Sequence, residues 1–332
     1  MGSLLDKPNT EYIHADEGAA NGLKYGVSSM QGWRMEMEDA HTIEPDVVGL
    51  PGHSLFAVFD GHGGHNAAVF ASEHLLPCLT KLDKFKAYVA DQTNLELLKQ
   101  AMQEAFLEVD KDMRVDFQPR STERSGCTAI AVMVTPTHLV CANAGDSRGL
   151  LSRSGKNVEL SFDHKPWKDE ERERIESAGG CVSMKRVDGE LAVSRALGDF
   201  QYKSEELDPK MTKVTAYPDV IAHERVPGED QFVVLACDGI WDVMENPDVI
   251  ASVDTYMTKL GEANPRLMAE EMMCECLAKQ SRDNMSVVVV LFEAGQAMVA
   301  GAGDGIEGLR TQREQALEEG RKAEADAGNG AN

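Results

Sequence analysis

The chain has 332 residues, 42% of them hydrophobic, and a formal net charge of −23 from 56 acidic and 33 basic residues. That is enough apolar material for a sizeable core, built as one large domain or two small ones. The acidic balance argues against nucleic acid as the main partner, because phosphate backbones need Lys and Arg to displace their counterions. It suits a soluble protein, and equally a site that gathers cations.

The seven cysteines, Cys78, Cys127, Cys141, Cys181, Cys237, Cys274 and Cys276, include no C-x-x-C pair. Several stand inside apolar runs, as in Phe232-Val233-Val234-Leu235-Ala236-Cys237. They read as small buried hydrophobes in a reducing compartment, not as a zinc site. No run approaches the ~18 apolar residues of a membrane span, and no secretory apolar stretch stands near the N-terminus. A cytoplasmic protein is expected, with the nucleus left open. Met1-Gly2 offers a myristoylation site, but the sixth position, where the pattern wants Ser or Thr, is Asp6. Membrane association is expected only if Gly2 is modified.

Residues 1–22 are polar, with Pro8, Gly18 and Gly22, and read as an N-terminal arm. Ser54 to Phe59 is a short apolar run that reads as a buried strand, stopped at Asp60 by a glycine-rich turn. Asn66 to Leu76 suits a helix ended by Pro77. From 94 to 113, Leu95, Leu98, Met102, Ala105, Phe106, Val109 and Met113 keep helical spacing and predict an amphipathic helix. Thr128–Val134, His138–Asn143 and Gly149–Leu151 are strands separated by tight turns, which implies antiparallel pairing. A charged helix follows from Lys168 to Ala178, ended by Gly179-Gly180. The stretch up to about 215 has little periodicity and reads as an irregular surface insertion. Phe232–Cys237 is again a strand. Two helices then open on Asn-Pro, at Asn246-Pro247 and Asn264-Pro265, with Asn as the cap and Pro as the first helical residue. Ser286–Phe292 is a last, valine-rich strand. After Glu293 the chain turns to Gly, Ala and Glu. Ile306 to Asp326 has helical composition without a continuous apolar face, so a loosely attached or disordered tail is expected. Strands and helices that do not alternate one for one favour an α+β fold.

One pattern recurs. An apolar strand ends in a polar turn carrying aspartate: Phe59-Asp60-Gly61, Cys237-Asp238-Gly239 and Ala144-Gly145-Asp146. Asp283 stands just before the valine-rich strand. A carboxylate at a strand end is rigidly based and still reaches solvent, which suits a metal ligand. Oxygen-only donors select hard cations such as Mg²⁺ and Mn²⁺ over zinc, and the spacing of a calcium-binding helix–loop–helix is absent. Asp-Gly is also a common turn pair, so each aspartate alone means little. Asp242, beside Trp241, reads as structural.

In combination with their surroundings these segments resemble the PPM family, the metal-dependent protein phosphatases of the 2C type. Gly32-Trp33-Arg34 with Met37-Glu38-Asp39-Ala40-His41, Asp60-Gly61-His62-Gly63-Gly64 and Ser125-Gly126-Cys127-Thr128-Ala129 are similar to its first elements. Ala142 to Arg148, Ser194 to Asp199, Cys237 to Asp242 and Asp283 to Ser286 follow in the family's order. The resemblance covers about residues 23–292. It implies a phosphatase domain over 23–293 with a flap around 165–215, and composition leaves an acidic tail over 294–332. The implied fold is a central β-sandwich of two antiparallel sheets with α-helices on both outer faces. The implied activity is hydrolysis of phosphoserine and phosphothreonine in phosphoprotein substrates, by a hydroxide shared between two cations; a monomer is expected.

By the same resemblance Asp60 bridges both cations. Gly61 completes one shell through its carbonyl, and Asp238 and Asp283 the other. Glu38 and Asp39 hold waters from behind, and Asp146 with Asp238 is the place of a weaker third metal seen in some members. His62 is the candidate acid for the leaving oxygen, since an imidazole titrates near neutrality, with an ordinary pKa of about 6.5. Arg34 is the candidate phosphate binder, because a guanidinium can donate two parallel hydrogen bonds. Arg186 and Arg195 fall in or near the expected flap, where a contact to substrate is a guess, and Thr128 is read as structural support. Among competitors, a two-metal nuclease is opposed by the net charge, and a kinase by the lack of a G-x-G-x-x-G loop. A catalytically weak phosphatase-like signalling or scaffold protein is the alternative, disfavoured because Asp60, Asp238 and Asp283 are all present.

Overall fold

The structure is a computed structural model that describes residues 4–315 except 121, 300 and 302. Gly2 and the tail beyond 315 lie outside the described residues. The chain opens with β1 (Leu4–Ala20), β2 (Leu23–Arg34), β3 (Ala40–Glu44), β4 (Ser54–Phe59) and the short β5 (Gly61–His62). Helices α1 (Asn66–Lys81), α2 (Asp83–Ala90) and α3 (Leu95–Phe117) follow. Next come β6 (Gly126–Cys127), β7 (Ala129–Val134), β8 (His138–Ala144), β9 (Arg148–Arg153) and β10 (Lys156–Glu159). Then α4 (Asp169–Ser177), β11 (Val182–Ser183), β12 (Arg186–Val187), β13 (Leu197–Gly198), β14 (Asp219–Glu224) and β15 (Asp230–Ala236). The last elements are α5 (Asp238–Trp241), α6 (Asn246–Thr258), α7 (Pro265–Ala278), β16 (Met285–Leu291) and α8 (Glu293–Met298), with a further helical stretch over 305–315.

Two antiparallel sheets form the centre, one in the order β1-β2-β16-β15-β9-β10 and the other β14-β8-β7-β4-β3. Every residue of β4, β7 and β16 is buried. Successive side chains on a strand point to opposite faces, so burial throughout requires cover on both. Phe56, Val58, Ile130, Val132, Val288 and Val290 meet between the sheets. Leu55, Ala57 and Phe59 face α1, α2 and α3 on one outside, and Met285, Val287 and Val289 face α6 and α7 on the other. The α+β sandwich with helices on both outer faces is therefore borne out, and its uninterrupted apolar strands are the consequence of four layers.

Four local expectations are corrected. The N-terminal arm is a long edge strand, paired with β2 from Leu4↔Arg34 to Ala20↔Leu23 with several bulges. It is polar because an edge strand buries little. Pro77 does not end α1, which runs to Lys81. The ring faces solvent while Leu75, Cys78 and Leu79 stay buried, and that packing outweighs the lost hydrogen bond. Asn264 caps α7, accepting from the Arg266 and Leu267 amides. On α6 the cap is Glu245, in a capping box with Asp248, and Asn246 instead bonds Arg148 and Glu159. The stretch read as irregular carries α4, a β11–β12 hairpin and a small core of its own: Ile175, Val187, Val193, Ala196, Tyr202 and Val214.

The start of the tail is anchored, not loose, because it covers charge. Glu270 and Glu271 on α7 are buried. Arg310 bonds Glu270 at 3.0 Å, Arg313 bonds Glu271, and Ile306 is fully buried. Arg310 also lies over the Tyr12 ring of β1, 5.4 Å from its centre. Arg310→Ala is expected to lower unfolding free energy by about 1–3 kcal/mol, the cost of an underpaired buried carboxylate. Chemical denaturation measures it; phosphatase rate at a temperature where both proteins are folded should not change.

Candidate active site and metal centre

Each strand-end aspartate owes its place to the sandwich. β4 and β8 belong to one sheet, β15 and β16 to the other. Asp60 follows β4, Asp146 sits in the turn from β8 to β9, Asp238 follows β15, and Asp283 precedes β16. One end of the sandwich therefore collects all four. The Asp60 carbonyl accepts from the Thr128 amide at 2.9 Å, which fixes the turn to β7. Glycine is required at 61, because a Cβ would lie 2.1 Å from the Glu38 carbonyl oxygen.

Carboxylate oxygens of Asp60, Asp146 and Asp238 lie within 4.8 Å of one another. Arg34, Asp60, Gly61, His62, Asp146, Asp238 and Asp283 all line one cleft of about 280 Å³. Asp283 stands slightly apart, with Oδ2 taken by Arg34 at 2.5 Å. Glu38 and Asp39 lie behind. Glu38 accepts from the Gly64 amide at 2.5 Å, and Asp39 accepts from the Ser286 hydroxyl at 2.7 Å. Burial, reinforced by the neighbouring carboxylates, holds Asp60 and Asp238 well above the ordinary aspartate range. Burial likewise pushes Asp39 up to about 7, against the hydrogen bond from Ser286.

Two buried oxygens, Oδ1 of Asp39 and Oδ1 of Asp146, have no hydrogen-bond partner among the described residues. The nearby cations are Lys165, bonded to Asp146, and Arg34, bonded to Asp283. Crowded, desolvated carboxylates with unused lone pairs fit hard divalent cations, which would supply the missing charge and take up the orphaned oxygens.

His62 points into the same cleft. Its Nε2 lies 2.7 Å from Oδ2 of Asp199, which is 1% exposed. Burial alone would lower the imidazole pKa; the Asp199 charge and hydrogen bond outweigh it and raise it. Gly126 makes room for the pair, since a Cβ there would lie 2.2 Å from Asp199 Oδ2 and 2.7 Å from His62 Nε2.

A strand-end carboxylate cluster with a cation and a carboxylate-held histidine on its rim has counterparts among known proteins. The family model described as Protein phosphatase 2C matches residues 23–285. The chain belongs to the protein phosphatase 2C family. It is 46% identical over 298 residues to protein phosphatase 1A of Homo sapiens, covering 88% of this chain and 76% of that one. Against protein phosphatase 1B of Mus musculus it is 46% identical over 304 residues, with the same coverage. Among solved structures, a phosphatase from a pathogenic strain of Toxoplasma gondii superposes with a TM-score of 0.70 at 26% identity, covering 85% of this chain and 96% of that one. The protein is thus a metal-dependent serine/threonine protein phosphatase acting on phosphoproteins.

Within the family site, Arg186 on the β11–β12 hairpin lines the cleft together with Leu191, Ala192 and Val193. Arg195 does not. It is held by Glu171, Asp219 and the Tyr217 carbonyl in a network between α4 and β14. Thr128 supports the site through a 2.7 Å bond to Ser147. Sequence reasoning missed two residues. Asp199 closes the Ser194–Asp199 segment, and its partner His62 is 137 residues away. Asn284 holds the Gln31 and Glu36 carbonyls and the Glu38 amide, tying the first motif to the β16 turn.

Proposed function

We propose that two cations, Mg²⁺ or Mn²⁺, occupy the carboxylate cluster, held by Asp60 together with the Gly61 carbonyl, Asp238 and Asp283. The carrying observation is the Asp60–Asp146–Asp238 cluster with an orphaned oxygen on Asp146 and, behind it, one on Asp39. Glu38 and Asp39 position water from behind, and Asp146 is the place for a weaker third cation. When bound, the cations supply a nucleophile at neutral pH and offset charge on the phosphoryl oxygens. The protein's own residues do the rest. Arg34, on the cleft wall, donates to the phosphate. Its bond to Asp283 uses Nη2, which ties the phosphate donor to the cluster. His62 holds a proton for the departing serine or threonine oxygen, and Asp199 sets the plane of the ring. Glu38 and Asn284 keep the end of β2, which carries Arg34, and the loop after it in register. The net charge of −23 supports phosphoproteins over nucleic acids as substrates.

Hydrolysis of a phosphothreonine peptide is expected to stop on exhaustive chelation and to return with Mn²⁺ or Mg²⁺, two ions binding per chain by equilibrium dialysis. Undiminished turnover in the chelated protein would refute the two-cation reading.

A further inference from the structure

Asp199 adopts a left-handed backbone, φ 53°, between Gly198 at φ 77° and Phe200. A non-glycine residue is strained there and keeps the conformation only where its surroundings impose it. The surroundings are supplied by α3, which contributes nothing to the cleft lining. Oδ1 of Asp110, in the C-terminal half of that helix, accepts from the Gly198 amide at 2.8 Å and from Lys203 Nζ at 2.6 Å. Lys203 Nζ also donates to the Ala196 carbonyl at 2.8 Å. These bonds fall on both sides of Asp199 and close the loop 196–203 around it. From the opposite side, the Asp199 amide donates to the Ser125 carbonyl at 3.1 Å. The Phe200 ring is pinned by the Arg114 guanidinium 4.5 Å from its centre, and by Phe117.

Asp110 and Lys203 are both almost fully buried. A buried ion pair is a weak source of stability, since apolar side chains of similar volume often do as well. What it offers is direction: one carboxylate oxygen fixes an amide and an ammonium at a single point. We infer that Asp110, through Gly198 and Lys203, is a positioning residue for the phosphatase reaction. It holds Asp199 in the register that aims His62 at the leaving oxygen. This rests on the reading of His62 as the proton donor.

The test compares a phosphothreonine peptide with p-nitrophenyl phosphate, whose leaving group needs little protonation. The proteins are wild type, His62→Gln, Asp110→Asn and the double variant, each saturated with Mn²⁺. Asp110→Asn is expected to lower kcat on the peptide on the order of 10-fold, the scale of a misplacement below 1 Å. The aryl phosphate should change by less than about 2-fold. Peptide KM and calorimetric Mn²⁺ affinity should stay constant, and the double variant should be no slower than His62→Gln. Equal losses on both substrates, or losses that multiply in the double variant, overturn the positioning role. If His62→Gln itself affects both substrates equally, the proton-donor reading fails and takes this inference with it. If His62→Gln separates the substrates and Asp110→Asn does not, only the inference falls. Should Asp110→Asn not fold, Lys203→Arg keeps the charge pair while moving the donor. The same split, smaller, is expected, and its absence overturns the claim.

Discussion

Asp60→Asn is expected to lower metal-stimulated hydrolysis of a phosphothreonine peptide on the order of 10³-fold, the several kcal/mol that the proposed cations would contribute. The same change should make the metal-free protein more stable. Asp60 is crowded by Asp238, Asp39, Asp146 and Asp283 in a desolvated site, and its pKa is raised by that burial and repulsion. A carboxylate whose folded pKa exceeds its unfolded value binds protons better when folded. Its ionisation therefore costs stability, and the cost appears as pH rises above the unfolded value of about 3.9. The gain from Asp60→Asn in chelator should be small near pH 4 and should grow toward pH 8. Taking the difference between the two proteins cancels groups titrating elsewhere, such as His41, which burial lowers to about 4. With Mn²⁺ present the order should reverse, wild type gaining more from the ion. A variant that turns over at near wild-type rate, or a metal-free stability gain independent of pH, would remove Asp60 from the centre of the site.

The central strands were legible because the four-layer arrangement buries both of their faces. Ser54 to Phe59 and Met285 to Leu291 carry no polar interruption except serine, and an apolar run bounded by turn residues reads as a strand in any context. Elements whose stability comes from long-range cover were not legible. β1 has a mostly exposed sequence and is a strand because β2 lies beside it. Glu270 and Glu271 interrupt an apolar helix and look like a solvent face, yet they are buried because arginines from 310 and 313 arrive to pair them. The segment from α4 to Val214 lacks periodicity because its six-residue core is drawn from widely spaced positions.

The site divides in the same way. Asp60, Asp146, Asp238 and Asp283 could be picked out because sheet ends impose their positions and their motifs are local. Their grouping could not: it is Asp146 whose oxygens join the tight cluster, while Asp283 leans on Arg34. Asp199 closes the Ser194–Asp199 motif, but nothing local in that motif points to a partner in the cleft. Its relation to His62 exists only because β6 pairs with both β5 and β13, placing Gly126 beside His62 on one flank and Gly198 on the other.

That pairing makes the second large effect specific. His62→Gln is expected to slow the phosphothreonine peptide on the order of 10²-fold, the lower end of what a positioned general acid contributes. p-Nitrophenyl phosphate should be slowed far less, because a nitrophenolate leaves without a proton. Glutamine can still bond Asp199 but carries no transferable proton, so geometry is kept while the chemistry is removed. The raised pKa of His62, set by Asp199 against the effect of burial, keeps the ring protonated further into the neutral range than a free imidazole. Asp199→Asn should therefore show the same preference for the better leaving group, with the ring intact. A loss shared equally by both substrates would mean that His62 serves the cluster or the phosphate, and that the leaving oxygen takes its proton from another group on the cleft wall.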